Sequence, residues 1–168
     1  MITRRTLLLA TPAVLLARSA AAGDLQEVTP RPVALEVFDR EERGHDLATI
    51  AGRLTLLHFW ASWCGSCRTE FPALDAFQRD MAKDGVKVAA ISLDRLGWPS
   101  IDATVAKLGI RDLAVFHDRD RSASRDLGVV GLPTTLVVDA KAREIARIVG
   151  AGDWASADLR RRLLALAG

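Results

Sequence analysis

The sequence predicts an α/β fold, in which strands and helices alternate along one domain and pack as a layered sheet. Three observations support this prediction. The chain has 168 residues, of which 49% are apolar and 26% charged, a balance that suits one soluble globular domain. Apolar runs of strand length alternate with stretches of helical periodicity, which is typical of layered α/β folds. No repeat, low-complexity tract or linker divides residues 24–168.

The first 22 residues have the three parts of an export signal peptide. A basic pair, Arg4 and Arg5, precedes an apolar stretch, Leu7–Ala17, and a run of small residues ends the segment. We expect cleavage after residue 22, which leaves residues 23–168 as the folded domain without an integral membrane span. An uncleaved anchor is the alternative, although the apolar stretch has about half the length that a spanning helix needs.

The segment around Arg4 and Arg5 also resembles a twin-arginine export signal, with the general export route as the alternative. Either route predicts that the protein works in the periplasm, where disulfides form and persist. The net charge of +2 is too small to predict nucleic acid or anionic lipid as a partner. These observations direct attention to redox chemistry outside the cytoplasm.

The predicted domain contains five strand patterns and four helix patterns in alternation. The predicted strands are Leu54–Trp60, Val86–Asp94, Leu113–Phe116, Thr134–Val138 and Glu144–Val149. The predicted helices are Thr69–Met81, Ser100–Leu108, Ser122–Leu127 and Ser156–Leu166, with Ser100 as an N-cap and Gly109 as a C-cap. The first strand is apolar almost throughout, as expected for a strand buried on both faces. The last two strands are close enough in sequence to form an antiparallel hairpin.

The only two cysteines, Cys64 and Cys67, stand between the first predicted strand and the helix that follows it. A disulfide between residues three apart closes almost no loop and adds little stability, so the pair indicates chemistry. Free N–H groups and the positive dipole end of a helix N-terminus favour a thiolate. We therefore expect a lowered pKa for Cys64, which attacks as the nucleophile, and we expect Cys67 to resolve the mixed disulfide. No metal site is expected, because the three histidines show no paired spacing.

Two segments resemble thioredoxin. Phe59–Cys67, with the sequence FWASWCGSC, is similar to its active-site segment, and Gly131–Thr135 is similar to the loop that carries its cis-proline. The resemblance implies a thioredoxin-like mixed β-sheet with helices on both faces. It also implies that Pro133 is cis, and that the carbonyl and N–H of Leu132 bind a substrate peptide in extended form.

Three further segments resemble the TlpA/ResA branch of the extracytoplasmic thiol-disulfide oxidoreductases. They are the helical start Cys67–Pro72, the central helical insertion Pro99–Leu108 and the N-terminal lead-in Val37–Trp60. With the thioredoxin-like segments, the resemblance spans nearly all of residues 33–166. It implies one domain with an N-terminal extension and an inserted helix.

Glu70 lies three residues after Cys67, on the helix stripe that also carries Phe71 and Leu74. A solvated acid near a helix N-terminus is the plainer interpretation. On the inward stripe, however, desolvation would raise the carboxyl pKa and let Glu70 exchange a proton with Cys67. The position also matches the active-site glutamate of the ResA-like proteins.

His58 departs from the pattern of its relatives, since thioredoxins have a buried Asp at the matching place and TlpA-like proteins often an Asn. One interpretation is a buried neutral imidazole satisfied by the backbone; the other is a proton relay that tunes the thiolate. Two tryptophans flank the cysteines. We expect Trp60 to pack in the core and Trp63 to present an apolar surface to the partner.

The predicted mechanism is thiol-disulfide exchange, with the Cys64–Cys67 disulfide as the redox group and no cofactor. The family resemblance implies disulfide-containing target proteins, such as apocytochromes c or copper-site proteins, and a membrane thiol electron donor. Three alternatives stay open at this point. The protein could be a DsbA-like oxidant, a non-enzymatic Cu(I) metallochaperone or a peroxidase of the peroxiredoxin kind. The peroxidase is disfavoured, because no Thr or Ser stands three residues before Cys64.

Overall fold

The computed structural model describes residues 23–167, so the predicted signal peptide, residues 1–22, lies outside the described residues. The strands in this range are β1 (Leu25–Pro32), β2 (Glu36–Phe38), β3 (Gly44–Asp46), β4 (Leu54–Trp60), β5 (Val86–Ser92), β6 (Ala114–His117), β7 (Thr134–Asp139) and β8 (Arg143–Val149). The helices are α1 (Leu47–Ile50), α2 (Gly65–Met81), α3 (Trp98–Leu108), α4 (Ser122–Asp126) and α5 (Ala157–Leu166), with a 3₁₀ turn, Ala82–Asp84, after α2. None of the helices in the described range combines the length and apolar character that crossing a membrane requires.

The described strands form one sheet in the order β1-β8-β7-β4-β5-β6-β2-β3. The central strands β4, β5 and β6 are parallel neighbours, whereas β7, β8 and β1 extend the sheet antiparallel on one side and β2 and β3 on the other. Helices α2, α3 and α5 cover one face, and α1 and α4 cover the other. The predicted mixed sheet with helices on both faces is confirmed, as is the hairpin of β7 and β8.

Strand β4 is buried along its whole length, as predicted, because it lies in the middle of the sheet between β5 and β7. Side chains alternate between the two faces of a strand. Leu56 and Trp60 accordingly join the core under α2, whereas Leu57 and Phe59 join the core under α1 and α4. The same alternation turns His58 toward α2, so its ring lies on the side of the sheet that α2 covers.

The lead-in before β4 forms strands that its sequence pattern does not predict. Strand β1 pairs with β8 on one side of the sheet; on the other side β2 pairs with β6, and β3 pairs with β2. In β1 only Leu25 is buried, so the strand lacks the apolar alternation by which strands are recognised. The N-terminal extension thus widens the sheet on both sides, and β1 and β3 become its edge strands.

Helix α3 begins two residues earlier than predicted. The predicted N-cap, Ser100, is wrong: Gly97 is the N-cap, and its φ of 64° is a conformation that favours glycine. Pro99 then falls in the first helical turn, where a missing N–H group costs little. Ser100 donates its hydroxyl to the Gly97 carbonyl instead, at 3.0 Å. The predicted C-cap, Gly109, is confirmed.

Candidate active site

Cys64 and Cys67 lie where β4 leads into α2, as the sequence predicts, and a disulfide bond joins them. Cys64 is the N-cap of α2, and its Sγ accepts a hydrogen bond from the Cys67 amide at 3.3 Å. Cys64 is 7% exposed, whereas Cys67 is fully buried. Of the two sulfur atoms, the Cys64 Sγ is therefore the one that an incoming disulfide can reach.

A buried carboxylate after β5 holds the turn that leads to the cysteines. Asp94 accepts the Ser62 amide at 2.9 Å and the Ser62 hydroxyl at 2.5 Å, and the Ser92 hydroxyl donates to it at 2.7 Å. Because a buried carboxylate needs such donors, these bonds fix the turn against β5. Asp94 is not among the predicted site residues, and its only sequence signal is an acid that closes an apolar run.

The loop before β7 contains the predicted cis-proline. The Leu132–Pro133 peptide bond is cis, and the Pro133 carbonyl accepts the Gly150 amide at 2.9 Å. Within the described residues, the amide and carbonyl of Leu132 have no hydrogen-bond partner. Leu132 and Cys64 line the same groove of about 540 Å³, together with Trp63. The groove thus offers an unpaired backbone edge beside the reactive sulfur.

Glu70 is buried on α2 and faces no cation. Its Oε2 accepts the Trp154 indole N–H at 2.7 Å and the Gly152 amide at 2.8 Å, whereas its Oε1 has no hydrogen-bond partner. Burial raises the pKa of the Glu70 carboxyl to about 7, and the hydrogen bonds from Trp154 and Gly152 offset part of that rise. The carboxyl therefore changes its protonation state near neutral pH.

His58 is fully buried opposite Glu70. Its Nδ1 lies 2.9 Å from the Thr135 hydroxyl on β7, and its Nε2 lies 3.7 Å from the free Oε1 of Glu70 without a hydrogen-bond partner. Burial lowers the pKa of the imidazole to about 3, so the ring is neutral at physiological pH. A neutral buried imidazole agrees with the first of the two interpretations made from the sequence. The backbone partner expected there is wrong, since the Thr135 hydroxyl holds the ring.

The two flanking tryptophans lie in different environments. Trp60 is fully buried and packs its ring 4.3 Å from that of Phe71. Trp63 is 63% exposed beside Cys64. Both placements agree with the prediction of a core ring and a surface ring.

Two residues that hold Glu70 are not predicted from the sequence. Trp154 and Gly152 lie in the segment between β8 and α5, which carries no strand or helix pattern. A Cβ on Gly152 would lie 3.0 Å from the Trp154 ring, so glycine lets the indole approach the carboxylate. The one available signal is a large aromatic residue in an otherwise small and polar segment. Between residues 23 and 167, no three His, Cys, Asp or Glu side chains come together as a metal site would require.

Comparison with known proteins adds to this geometry. The profile of the AhpC/TSA family matches residues 30–146. The chain is 30% identical over 122 residues to the thiol:disulfide interchange protein HelX of Rhodobacter capsulatus, covering 70% of this chain and 64% of HelX. It is 28% identical over 127 residues to the thiol-disulfide oxidoreductase ResA of Geobacillus thermodenitrificans, covering 74% of this chain and 70% of ResA. The chain thus spans slightly less than two thirds of HelX.

Solved structures share the same architecture. A putative thiol:disulfide interchange protein DsbE from Chlorobium tepidum superposes with a TM-score of 0.72 at 26% identity, covering 86% of this chain and 99% of that chain. StoA from Bacillus subtilis superposes with a TM-score of 0.64 at 18% identity, covering 79% of this chain and 97% of that chain. The predicted thioredoxin-like fold is confirmed.

Proposed function

The chain belongs to the AhpC/TSA family, within the thioredoxin superfamily, and on this premise we propose that it is a periplasmic thiol-disulfide oxidoreductase that reduces disulfides in target proteins. One observation carries the proposal. The accessible Cys64 stands at the N-terminus of α2 beside the unpaired backbone of Leu132, with the buried Cys67 and Glu70 behind it. The relatives HelX and ResA are named as a thiol:disulfide interchange protein and a thiol-disulfide oxidoreductase, which supports the same chemistry.

The first step is attack of the Cys64 thiolate on a target disulfide. A bond forms between Cys64 and one target sulfur, the target disulfide breaks, and the leaving sulfur takes a proton. The backbone of Leu132 hydrogen-bonds the target in extended form, with Pro133 fixing the loop. Trp63 supplies an apolar contact beside the reacting sulfur.

The second step releases the reduced target. Cys67 loses its proton and attacks the Cys64 sulfur, so the target leaves as a thiolate and the enzyme keeps both cysteines as a disulfide. Two electrons pass from the dithiol to the target. No cofactor takes part, and a membrane thiol donor returns the two electrons to the protein.

We assign the proton of Cys67 to the free Oε1 of Glu70. Its Oε2 is held by two donors, so the carboxylate stays in place while Oε1 accepts. His58 Nε2 faces the same oxygen at 3.7 Å, and the hydrogen bond of Nδ1 with Thr135 selects the tautomer of the ring. A protonated Nε2 stabilises the ionised carboxylate, whereas an unprotonated Nε2 stabilises the protonated carboxyl. The proton leaves through a cleft of about 450 Å³ between α2 and residues 151–155, which Glu70 lines.

The equilibrium reduction potential of the Cys64–Cys67 pair tests the direction of the reaction. The protein is titrated against glutathione or dithiothreitol, and we expect a value near that of thioredoxin, about −270 mV. A value near about −120 mV would make the protein an oxidant instead. A protein that forms no intramolecular disulfide would support copper binding.

Trapping of the target tests the order of attack and the compartment. Cys67→Ser should accumulate mixed disulfides with periplasmic proteins, whereas Cys64→Ser at matched expression should not. Identical trapping by both variants would contradict the assignment of Cys64 as the nucleophile.

A further inference from the structure

The surface around Cys64 is apolar and carries positive charge. Three of the four large exposed hydrophobic residues in the described chain, Trp63, Leu96 and Val130, line two grooves that meet at Trp63. The first groove contains Cys64 and Leu132. The second, of about 500 Å³, is lined by Ser62, Trp63, Asp94, Arg95, Leu96 and Arg121, and is called the arginine groove below.

The two arginines of this groove have no acidic partner within residues 23–167. Arg95 is exposed and makes no ion pair there. Arg121 donates to the Leu93 carbonyl at 2.8 Å, which anchors its guanidinium, and like Trp63 it lines both grooves. The charge of each guanidinium therefore stays available to a bound molecule.

Within residues 23–167, the acidic groups nearby form no ion pair with these arginines, because neutral donors hold their oxygens. Both oxygens of the buried Asp94 are occupied by the hydroxyl and amide donors of Ser62 and Ser92. Asp120, next to Arg121 in sequence, accepts the amide and hydroxyl of Ser122 at 3.0 and 2.8 Å. The groove beside the reactive cysteine therefore presents apolar surface and two arginines without an ion pair, and its one acidic lining residue, Asp94, is buried.

We propose that the arginine groove selects target polypeptides that carry a carboxylate side chain next to an apolar residue beside the reacting disulfide. The selection rests on the proposed reductase function and specifies its substrate class. A target strand along Leu132 places its cysteine at Cys64, and its neighbouring residues extend past Trp63 into the arginine groove. Arg95 and Arg121 then bind the carboxylate, and Leu96 and Trp63 cover the apolar side chain.

Two disulfide peptides that differ at one position test the selection. Both have one intramolecular disulfide and the same apolar residue, and one carries Glu where the other carries Gln beside the reacting cysteine. The second-order rate of reduction by the reduced protein is measured under single-turnover conditions. We expect the Glu peptide to react about three- to fivefold faster at low salt, and the difference to vanish in about 1 M salt.

Charge variants assign the effect to the groove. Arg95→Gln should reduce the Glu-to-Gln rate ratio toward one, and Arg95→Glu should invert it and favour a peptide with Lys at the same position. Arg111→Gln is the matched control and should keep the ratio. Arg111 is also exposed, but it precedes β6, whereas Arg121 of the groove follows that strand. Arg121→Lys, which keeps the charge, should preserve more of the ratio than Arg121→Gln.

Failure of this selection is distinguishable from failure of the proposed function. Equal rates for the Glu and Gln peptides would overturn the selection while the reductase function stands. An effect of Arg111→Gln as large as that of Arg95→Gln would also overturn it, because the preference would then follow net charge and not the groove. A protein that reduces neither peptide would contradict the proposed function itself.

Discussion

Two glutamates, Glu70 and Glu144, are buried on the same sheet framework and are held in opposite ways. Glu144 on β8 is 1% exposed and lies between two arginines, with Arg31 Nε at 2.6 Å and Arg147 Nε at 2.7 Å. Glu70 on α2 is 6% exposed and receives only neutral donors, from Trp154 and a backbone amide. The comparison shows that burial alone does not give a carboxylate its role.

The partners of each carboxylate explain the difference. Arg31 and Arg147 also donate to the Leu127 carbonyl, at 3.0 and 2.7 Å, so the Glu144 cluster ties β1 and β8 to the segment that leads to the cis-proline loop. Both oxygens of Glu144 are occupied, and the cluster is structural. Glu70 keeps one oxygen free of hydrogen bonds, 3.7 Å from His58 Nε2 and on the same helix as Cys67, and this is the oxygen to which we assign the proton transfer.

The largest expected effect is the loss of stability in Glu144→Gln. Without the Glu144 carboxylate, the charges of Arg31 and Arg147 are left uncompensated. We expect a cost of about 3 kcal/mol, at the lower end for a buried ion pair, since the two arginines are partly exposed. The free energy of unfolding of the oxidised protein, from urea titration at pH 7, measures this loss. Glu70→Gln is the matched control and should not lose stability at pH 7, since it removes no ion pair and replaces a carboxyl group whose charged form is disfavoured by burial. Equal losses in the two variants would contradict the comparison.

The second effect concerns the rate at which Cys67 releases the target. Glu70→Gln removes the proton acceptor and should slow this step about 100-fold at pH 8. In the parent protein the rate should rise as pH increases through about 7, because the ionised carboxylate is the active form. Stopped-flow measurement of target release from a preformed mixed disulfide gives the rate.

The matched variant for this kinetic test is Glu144→Gln. At a temperature where it remains folded, it should keep the rise near pH 7, since it leaves the Glu70 carboxyl intact. A pH profile of Glu70→Gln that overlays the parent would exclude Glu70 as the base.

The contrast between the two glutamates is only half visible in the sequence. Glu70 is predicted because helix periodicity fixes its position relative to Cys67, and a helix face depends on local sequence alone. Glu144 lies at the start of a predicted strand without a predicted partner, because Arg31 approaches it from 113 residues away on an edge strand with no apolar pattern. Local periodicity predicts elements, whereas long-range pairs of polar side chains depend on how the elements assemble.

The same limit applies around His58. Its burial follows from the apolar strand in which it lies, but the approach of its Nε2 to Glu70 depends on how α2 crosses the sheet. The cis-proline at Pro133 follows from the family resemblance, since proline is compatible with both isomers. Trp154 reaches Glu70 from a segment without a pattern, 84 residues away.

The third effect is a pair of opposing pH dependences of stability. Glu70 has a raised pKa in the folded protein, so its contribution is present below pH about 4.5 and is lost as pH rises through about 7. His58 has a lowered pKa, so the unfolded chain binds its proton more tightly, and stability rises with pH between about 3 and 6.5. The two slopes oppose each other between pH 4.5 and 6.5.

Single variants of the oxidised protein separate the two slopes, since the disulfide does not titrate. The unfolding free energy of the parent minus that of Glu70→Gln should fall by on the order of 2 kcal/mol from pH 4.5 to 8. The corresponding difference for His58→Asn should rise over pH 4 to 6.5. Differences of the same sign for both variants would mean that the two groups do not have the protonation states assigned here.

The smallest effect isolates one hydrogen bond to Glu70. Trp154→Phe removes the indole N–H that donates to Oε2 and keeps most of the ring, so the ionised carboxylate loses a donor. The inflection in the rate of target release should move up by about 1 pH unit, the equivalent of one hydrogen bond to a charged group. Trp60→Phe is the matched control, because the Trp60 indole N–H is buried without a hydrogen-bond partner and its loss should leave the inflection in place. A larger shift in Trp60→Phe than in Trp154→Phe would show that ring packing, and not the donor on Oε2, sets the pKa of Glu70.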